Sequence, residues 1–261
     1  MILERYSSEI TTNIWSEVNR FNCMLKAEIA YTKALIHVNY YKNNNKVWVK
    51  HGKHETEIKR EIWAPYRNFF NYTITTEDLV AIQKLEAVTK HETLAFLTFL
   101  EQKFPEETKL LHFGLTSSDA IDTGLAIQLN QINFEIEAQY NKLVTVLKEK
   151  CKQYAKTPMY GRSHGMHAEV TTFGCILAGH LHEITRAVQN LKVSATNLRV
   201  GKFSGPVGNY TNCFKEVEQE ACSYLYLGSS SFTTQVIPRD RHAQFITDCA
   251  IFAGVIERLA T

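Results

Sequence analysis

Three histidines in this sequence occupy settings suited to proton transfer or anion binding. In GRSHGMHAEVTTFG, residues 161–174, His164 and His167 lie between Arg162 and a long apolar-periodic run. Gly161 and Gly165 let the backbone turn tightly around His164, and the turn is expected to feed Thr171 and Thr172 into a helix. An imidazole held at the mouth of a helical bundle titrates near neutral pH and suits acid–base work. A surface turn carrying two solvated histidines satisfies the same spacing. In HFGLTSSDAIDTG, residues 112–124, His112 precedes Thr116 and Ser117 at a helix start, and His91 opens another helix between Lys90 and Glu92. Free N–H groups and the macrodipole favour a carboxylate or phosphate at such starts. Gln235 stands just ahead of Arg239 and Arg241, and Arg5, Lys90 and Arg162 can add charge. The chemistry indicated is histidine acid–base handling of an anionic small molecule. Structural alternatives remain open: Thr116 and Asp119 as a helix cap, His112 as a hydrogen-bonded core residue, and Arg239 to Arg241 as a solvated first turn.

The elements that must position these groups read as helices. From about 16 to 38, Phe21, Leu25, Ala27, Ile29 and Leu35 suggest one long helix, and residues 42–54 read as a polar loop or short helix. A helix through Leu79, Ile82 and Leu85 follows. Thr89 and Glu92 have capping-box spacing and are expected to open the next, which carries Leu94, Phe96, Leu97 and Leu100. Thr116 and Asp119 repeat that spacing before a run of roughly 35 residues, about 50 Å of helix at 1.5 Å per residue. Its stripe includes Ile121, Leu125, Leu129, Ile132, Ile136, Leu143 and Leu147. Phe173, Ile176, Leu177, Ile184, Val188 and Leu191 mark a further helix to about residue 200. Residues 201–210, GKFSGPVGNY, read as an ordered turn region, 214–226 as a helix, and the last helix begins near Pro238. That helix is still running at Thr261, so the chain is expected to stop inside an element. No period-two alternation long enough to make a sheet is found. The expected fold is all-α, with an N-terminal helical domain over 1–112 and a long-helix bundle over 113–261.

Bulk properties narrow the function. The 261 residues carry a net charge of +2, which argues against a broad basic surface for nucleic acid and leaves anion binding to local clusters. The six cysteines show no C-x-x-C pair and no zinc spacing; they read as reduced core thiols of a cytoplasmic protein. No signal sequence and no membrane-length apolar run is found. His164 and His167 lack a flanking acidic or cysteine ligand, so no metal is expected, and no Walker-type or Rossmann glycine loop is present.

Three of these stretches, GRSHGMHAEVTTFG, HFGLTSSDAIDTG and QVIPRDRHA, closely resemble the adenylosuccinate lyases of the fumarase/aspartase superfamily. The segment 5–21, RYSSEITTNIWSEVNRF, resembles their opening, and the likeness runs in order from Arg5 to Thr261. It implies an incomplete bundle of the fumarase/aspartase type and a carbon–nitrogen lyase that removes fumarate from adenylosuccinate, giving AMP, and from the succinylcarboxamide imidazole nucleotide of purine synthesis. No cofactor is implied. His164 would be the general acid. His91, the second histidine at the chemistry, would with Arg5, Tyr6, Lys90 and Glu92 contact the nucleotide or its phosphate. His112 would orient substrate, Thr116 and Ser117 would hold a substrate carboxylate, and Gln235 would hydrogen-bond it. Lys90, Glu92 and Ser163 stand where the family commonly has arginine, aspartate and threonine. The family continues well beyond this end, with a flexible serine loop that supplies the catalytic base and further helices that complete a homotetramer. The resemblance therefore implies that this chain is inactive alone and exposes apolar faces. A superfamily lyase acting on another conjugate, such as argininosuccinate, and a non-catalytic helical oligomerisation fragment are the alternatives.

Overall fold

The computed structural model describes residues 4–43 and 61–261. Its helices are α1 (Glu9–Ile14), α2 (Glu17–Asn43), α3 (Arg67–Phe70), α4 (Thr76–Thr89), α5 (Glu92–Lys103) and α6 (Ser117–Gln153). A hairpin of β1 (Pro158–Ser163) and β2 (Met166–Thr172) follows, then α7 (Phe173–Asn197) and β3 (Val200–Gly201). The chain continues through α8 (Lys215–Tyr224), β4 (Gly228–Ser229) and α9 (Asp240–Ala260). The architecture is helical, as expected. Apart from its first two residues, which end α2, the polar stretch 42–54 lies outside the described residues. None of the described helices is long and apolar enough to cross a membrane.

The contacts group into two compact units, one of residues up to Leu129 with Arg199–Pro238, the other of Asn130–Leu198 with Arg239–Thr261. The boundary expected after His112 falls inside the first unit. There, α2 is buried on two faces. Phe21, Met24, Leu25 and Ile29 meet Phe69, Ile82, Phe96 and Leu100 from α3, α4 and α5; each such side chain contributes about 1.5–3 kcal/mol by leaving water. Ala27, Ala30 and Ala34 on the other side are small enough to admit α8, whose Val217, Ala221 and Cys222 pack there with Phe203. α4 starts at a capping box in which Thr75 accepts from the Asp78 N–H and Asp78 from the Thr75 N–H. Burial pushes the Cys23 and Cys213 thiols each up to about 11, so these are unreactive core thiols; Cys175 is exposed.

In the second unit, Leu147 of α6, Ile184 and Ala187 of α7 and Val255 of α9 form the core, with Leu143, Leu177, Phe252 and Ile256 against it. Arg258 pairs with Glu183 at 2.6 Å. Phe134, Ile176, Ile246 and Ile251 are exposed on these helices, which agrees with the expected apolar exposure. The sequence reading missed the strands. β1 and β2 form an antiparallel pair with a register irregularity between Tyr160 and Arg162, and β3 pairs β4 in parallel for two residues. Among the described residues neither face of the β1–β2 hairpin is buried, so burial imposes no apolar–polar alternation on it.

Candidate functional site

His112 stands just before α6 with its backbone in the left-handed region, φ 56, uncommon for a residue with a side chain. Two side chains one turn apart on α2 hold it there. Glu28, fully buried, accepts the His112 backbone N–H at 3.2 Å through one oxygen and lies 2.6 Å from Nδ1 through the other. The Tyr31 hydroxyl donates to the Phe113 carbonyl at 3.0 Å. Gly114 follows at φ +74, where an added Cβ would lie 2.0 Å from the Asn212 carbonyl oxygen; only glycine fits. Burial opposes charge on the imidazole, but the hydrogen bond and charge of Glu28, aided by Asp119, outweigh it and raise the His112 pKa above its ordinary value.

Thr116 and Ser117 begin α6 over a buried polar hub. Asp119 accepts the Thr116 N–H at 2.8 Å, which is half of the expected capping box. The same carboxylate takes the Ser204 and Gly205 N–H groups, each at 3.2 Å, and the Lys202 ammonium. Lys202 also donates to the Gly205 carbonyl at 2.8 Å, and both side chains of the pair are fully buried. Glu218 holds the turn from α8 by accepting from the Phe203 N–H at 2.7 Å and the Tyr210 hydroxyl at 2.9 Å. One turn along α6, Asp122 accepts the Ile237 N–H at 2.8 Å. The Gly-rich turn and the segment after Gln235 are thereby fastened to the first two turns of α6.

At the start of α5 the expected cap is displaced by two residues. His91, not Thr89, is the N-cap, and its Nδ1 accepts the Leu94 N–H at 3.1 Å. In the neutral ring the proton therefore sits on Nε2. Lys90 ends α4 in the left-handed conformation at φ 54. That bend resets the chain direction and makes the residue after it the first able to cap. Glu92 is at the first helical position and gives both oxygens to Arg20 of α2, one at 2.9 Å. Arg20 also binds Glu17 at 3.0 Å. The hydrogen bond Arg20 donates to Glu92 is the largest cause of its raised pKa. Arg20 and Glu28 are eight residues apart, about 12 Å along α2, so the His91 and His112 segments are braced by one helix.

His164 is at the tip of the β1–β2 hairpin, not in a turn entering a helix. Ser163 pairs Met166 across a two-residue turn with φ 53 at His164 and φ 75 at Gly165. Positive φ at both central residues is the hairpin turn that favours Asn-Gly, and histidine takes the first place. His164 is exposed, as are Met166 at 71% and Val170 at 65%. His167 stacks on Tyr160 with ring centres 5.1 Å apart. Thr172, as expected, starts α7: its hydroxyl accepts the Cys175 N–H at 3.2 Å.

The first unit thus holds His91, His112, Thr116 and Ser117 on braced backbone, with Glu92 engaged by Arg20. Arg5, Tyr6 and Gln235 are exposed there; Arg5 lies over the Tyr6 ring at 5.8 Å. His164 belongs to the second unit. Sequence reasoning missed Arg20, Glu28 and Lys202. The usable signal was a charge within an apolar run, as in Ala27-Glu28-Ile29-Ala30-Tyr31, since buried charges require partners. Among the described residues no group of three or more histidine, cysteine or acidic residues could hold a metal.

The family model described as Lyase matches residues 5–261. The adenylosuccinate lyase of Bacillus subtilis strain 168 is 34% identical over 262 residues, covering 99% of this chain and 55% of that protein. The adenylosuccinate lyase of Staphylococcus saprophyticus is 33% identical over 259 residues, with coverage of 99% and 55%. The chain therefore spans about half the length of these relatives. Among solved structures, a fumarate lyase from Mesorhizobium sp. BNC1 superposes with a TM-score of 0.79 at 22% identity, over 100% of this chain and 58% of that one. The 3-carboxy-cis,cis-muconate lactonizing enzyme of Pseudomonas putida gives 0.74 at 25% identity, over 97% and 55%.

Proposed function

This chain belongs to the lyase family, within the fumarase/aspartase superfamily, and on that footing we propose that it is the N-terminal portion of an adenylosuccinate lyase. The proposed reaction eliminates fumarate from adenylosuccinate to give AMP and from the succinylcarboxamide imidazole nucleotide to give its carboxamide. The observation that carries the reading is a histidine set on left-handed backbone at a hairpin tip. A proton donor exposed this way at a two-residue turn is presented outward, and the left-handed conformation costs stability that no burial of His164 among the described residues offsets. His164 serves as the general acid that protonates the departing nitrogen. Thr116 and Ser117, with the free N–H groups starting α6, bind a substrate carboxylate. His91 offers Nε2–H to the nucleotide, and His112 orients substrate, with Arg5, Tyr6, Lys90 and Gln235 as further contacts. Glu92 acts through Arg20 by fixing the start of α5. The base belongs to the part of the relatives' length that this chain does not span. The exposed hairpin and the apolar faces of the second unit fit assembly as a cytoplasmic homotetramer.

The experiment is fumarate release from adenylosuccinate, followed by absorbance. The 261-residue chain is expected to show none, and a polypeptide extended to the relatives' length is expected to turn over and to lose activity on His164→Ala. Turnover by the 261-residue chain refutes the missing base, and undiminished turnover by the extended variant refutes the acid assignment.

A further inference from the structure

We propose that Glu28 is a positioning residue that holds His112 as a protonated, fixed-backbone donor, leaving Nε2–H as the ring's one uncommitted proton. Glu28 is fully buried, and among the described residues its only charged partner is His112. A carboxylate withdrawn from water needs a counter-charge, and the imidazolium supplies it. Both oxygens are committed to the same residue, one to Nδ1 at 2.6 Å and one to the backbone N–H at 3.2 Å. The carboxylate therefore fixes ring charge, ring orientation and the left-handed backbone together. Tyr31, one turn further along α2, secures the next peptide through the Phe113 carbonyl. The charged groups around the ring are Glu28 from α2 and Asp119 from α6, the latter already matched by Lys202. No partner of Nε2 exists among the described residues. A cation with one spare N–H, four residues before Thr116, suits a substrate anion. That last step rests on the lyase reading; the Glu28–His112 couple does not.

The couple is read from histidine ring 15N–1H correlation spectra of the 261-residue chain between pH 5 and 10, with His112 identified by its loss in His112→Asn. His112 is expected to keep both ring protons above the ordinary histidine value near 6.5. Glu28→Gln is expected to lower its proton affinity about tenfold or more, one pH unit. Tyr31→Phe, which leaves the carboxylate in place, is expected to leave the titration unchanged. A wild-type His112 that titrates at or below the ordinary histidine value near 6.5 overturns the proposal, as does a Glu28→Gln protein with an unshifted His112. If Glu28→Gln does not fold, the wild-type titration decides alone. In a polypeptide of the relatives' length, Glu28→Gln is expected to raise KM for adenylosuccinate about tenfold or more with a smaller change in kcat, and Glu28→Asp to recover part of it. An unchanged KM overturns the substrate-facing role. Absence of turnover in the unmutated extended polypeptide counts against the lyase reading instead, while the spectra still decide the couple.

Discussion

Replacing Lys202 by methionine removes the one cation matched to Asp119 while keeping much of the side-chain volume. Both partners are fully buried, so water cannot replace the ammonium. Asp119 would keep its backbone N–H donors from Thr116, Ser204 and Gly205 but not its counter-charge. Breaking a buried pair by removing one partner costs about 3–5 kcal/mol. The three remaining charge-assisted hydrogen bonds place Lys202→Met toward the lower end of that range. At about 2–4 °C per kcal/mol for a unit of this size, the transition falls by about 6–12 °C. The sequence offers a convenient probe. Trp15 and Trp63 belong to the first unit and no tryptophan falls in the sequence span of the second, so tryptophan fluorescence in urea or on heating follows the first unit. Asp119→Asn should be at least as damaging, because it strands the ammonium and weakens three backbone acceptances at once. A double variant with Lys202→Met and Asp119→Asn should lose less than the two single losses summed, since the second change removes the stranded charge. A Lys202→Met protein that melts within about 2 °C of the wild type would refute the argument that this pair fastens the Gly-rich turn to α6.

Four further outcomes are expected. His164→Asn should leave the hairpin as stable or better by a few tenths of a kcal/mol, because asparagine favours this turn position, while abolishing turnover in the extended polypeptide. Gly165→Ala should cost about 1–2 kcal/mol of hairpin stability through φ alone, since a Cβ there meets nothing within 4 Å; both are measured by hydrogen exchange of the β1–β2 amides. His91→Asn should retain the α5 cap, because asparagine caps well, whereas His91→Ala should lose about 0.5–2 kcal/mol in urea unfolding. The raised His112 pKa makes its contribution to stability full below its unfolded value near 6.5 and lost as pH rises through the folded value. The stability difference between wild type and Glu28→Gln should therefore narrow from pH 6 toward alkaline pH, and a gap that widens would contradict the protonated couple.

The helices and the family were legible from the residues alone. A 3.6-residue apolar period is a local property, and α2, α4, α5, α6, α7 and α9 are all visible in it because each buries a face. The motifs around His112, Thr116 and His164 also stand in contiguous residues, so both the lyase resemblance and the candidate acid could be read without a structure. What escaped were features that no local period encodes. The hairpin carrying His164 has no buried face among the described residues, so burial imposes no alternation on it, and the glycines around His164 fit a helix lead-in equally well. The α5 cap moved from Thr89 to His91 because Lys90 takes a left-handed conformation that the capping-box spacing cannot register. The partners of the charges follow from how the helices pack. Arg20 meets Glu92 across 72 residues, Lys202 meets Asp119 across 83 and Glu28 meets His112 across 84. A buried charge in an apolar run announces that it needs a partner. Which one it finds depends on how the helices pack.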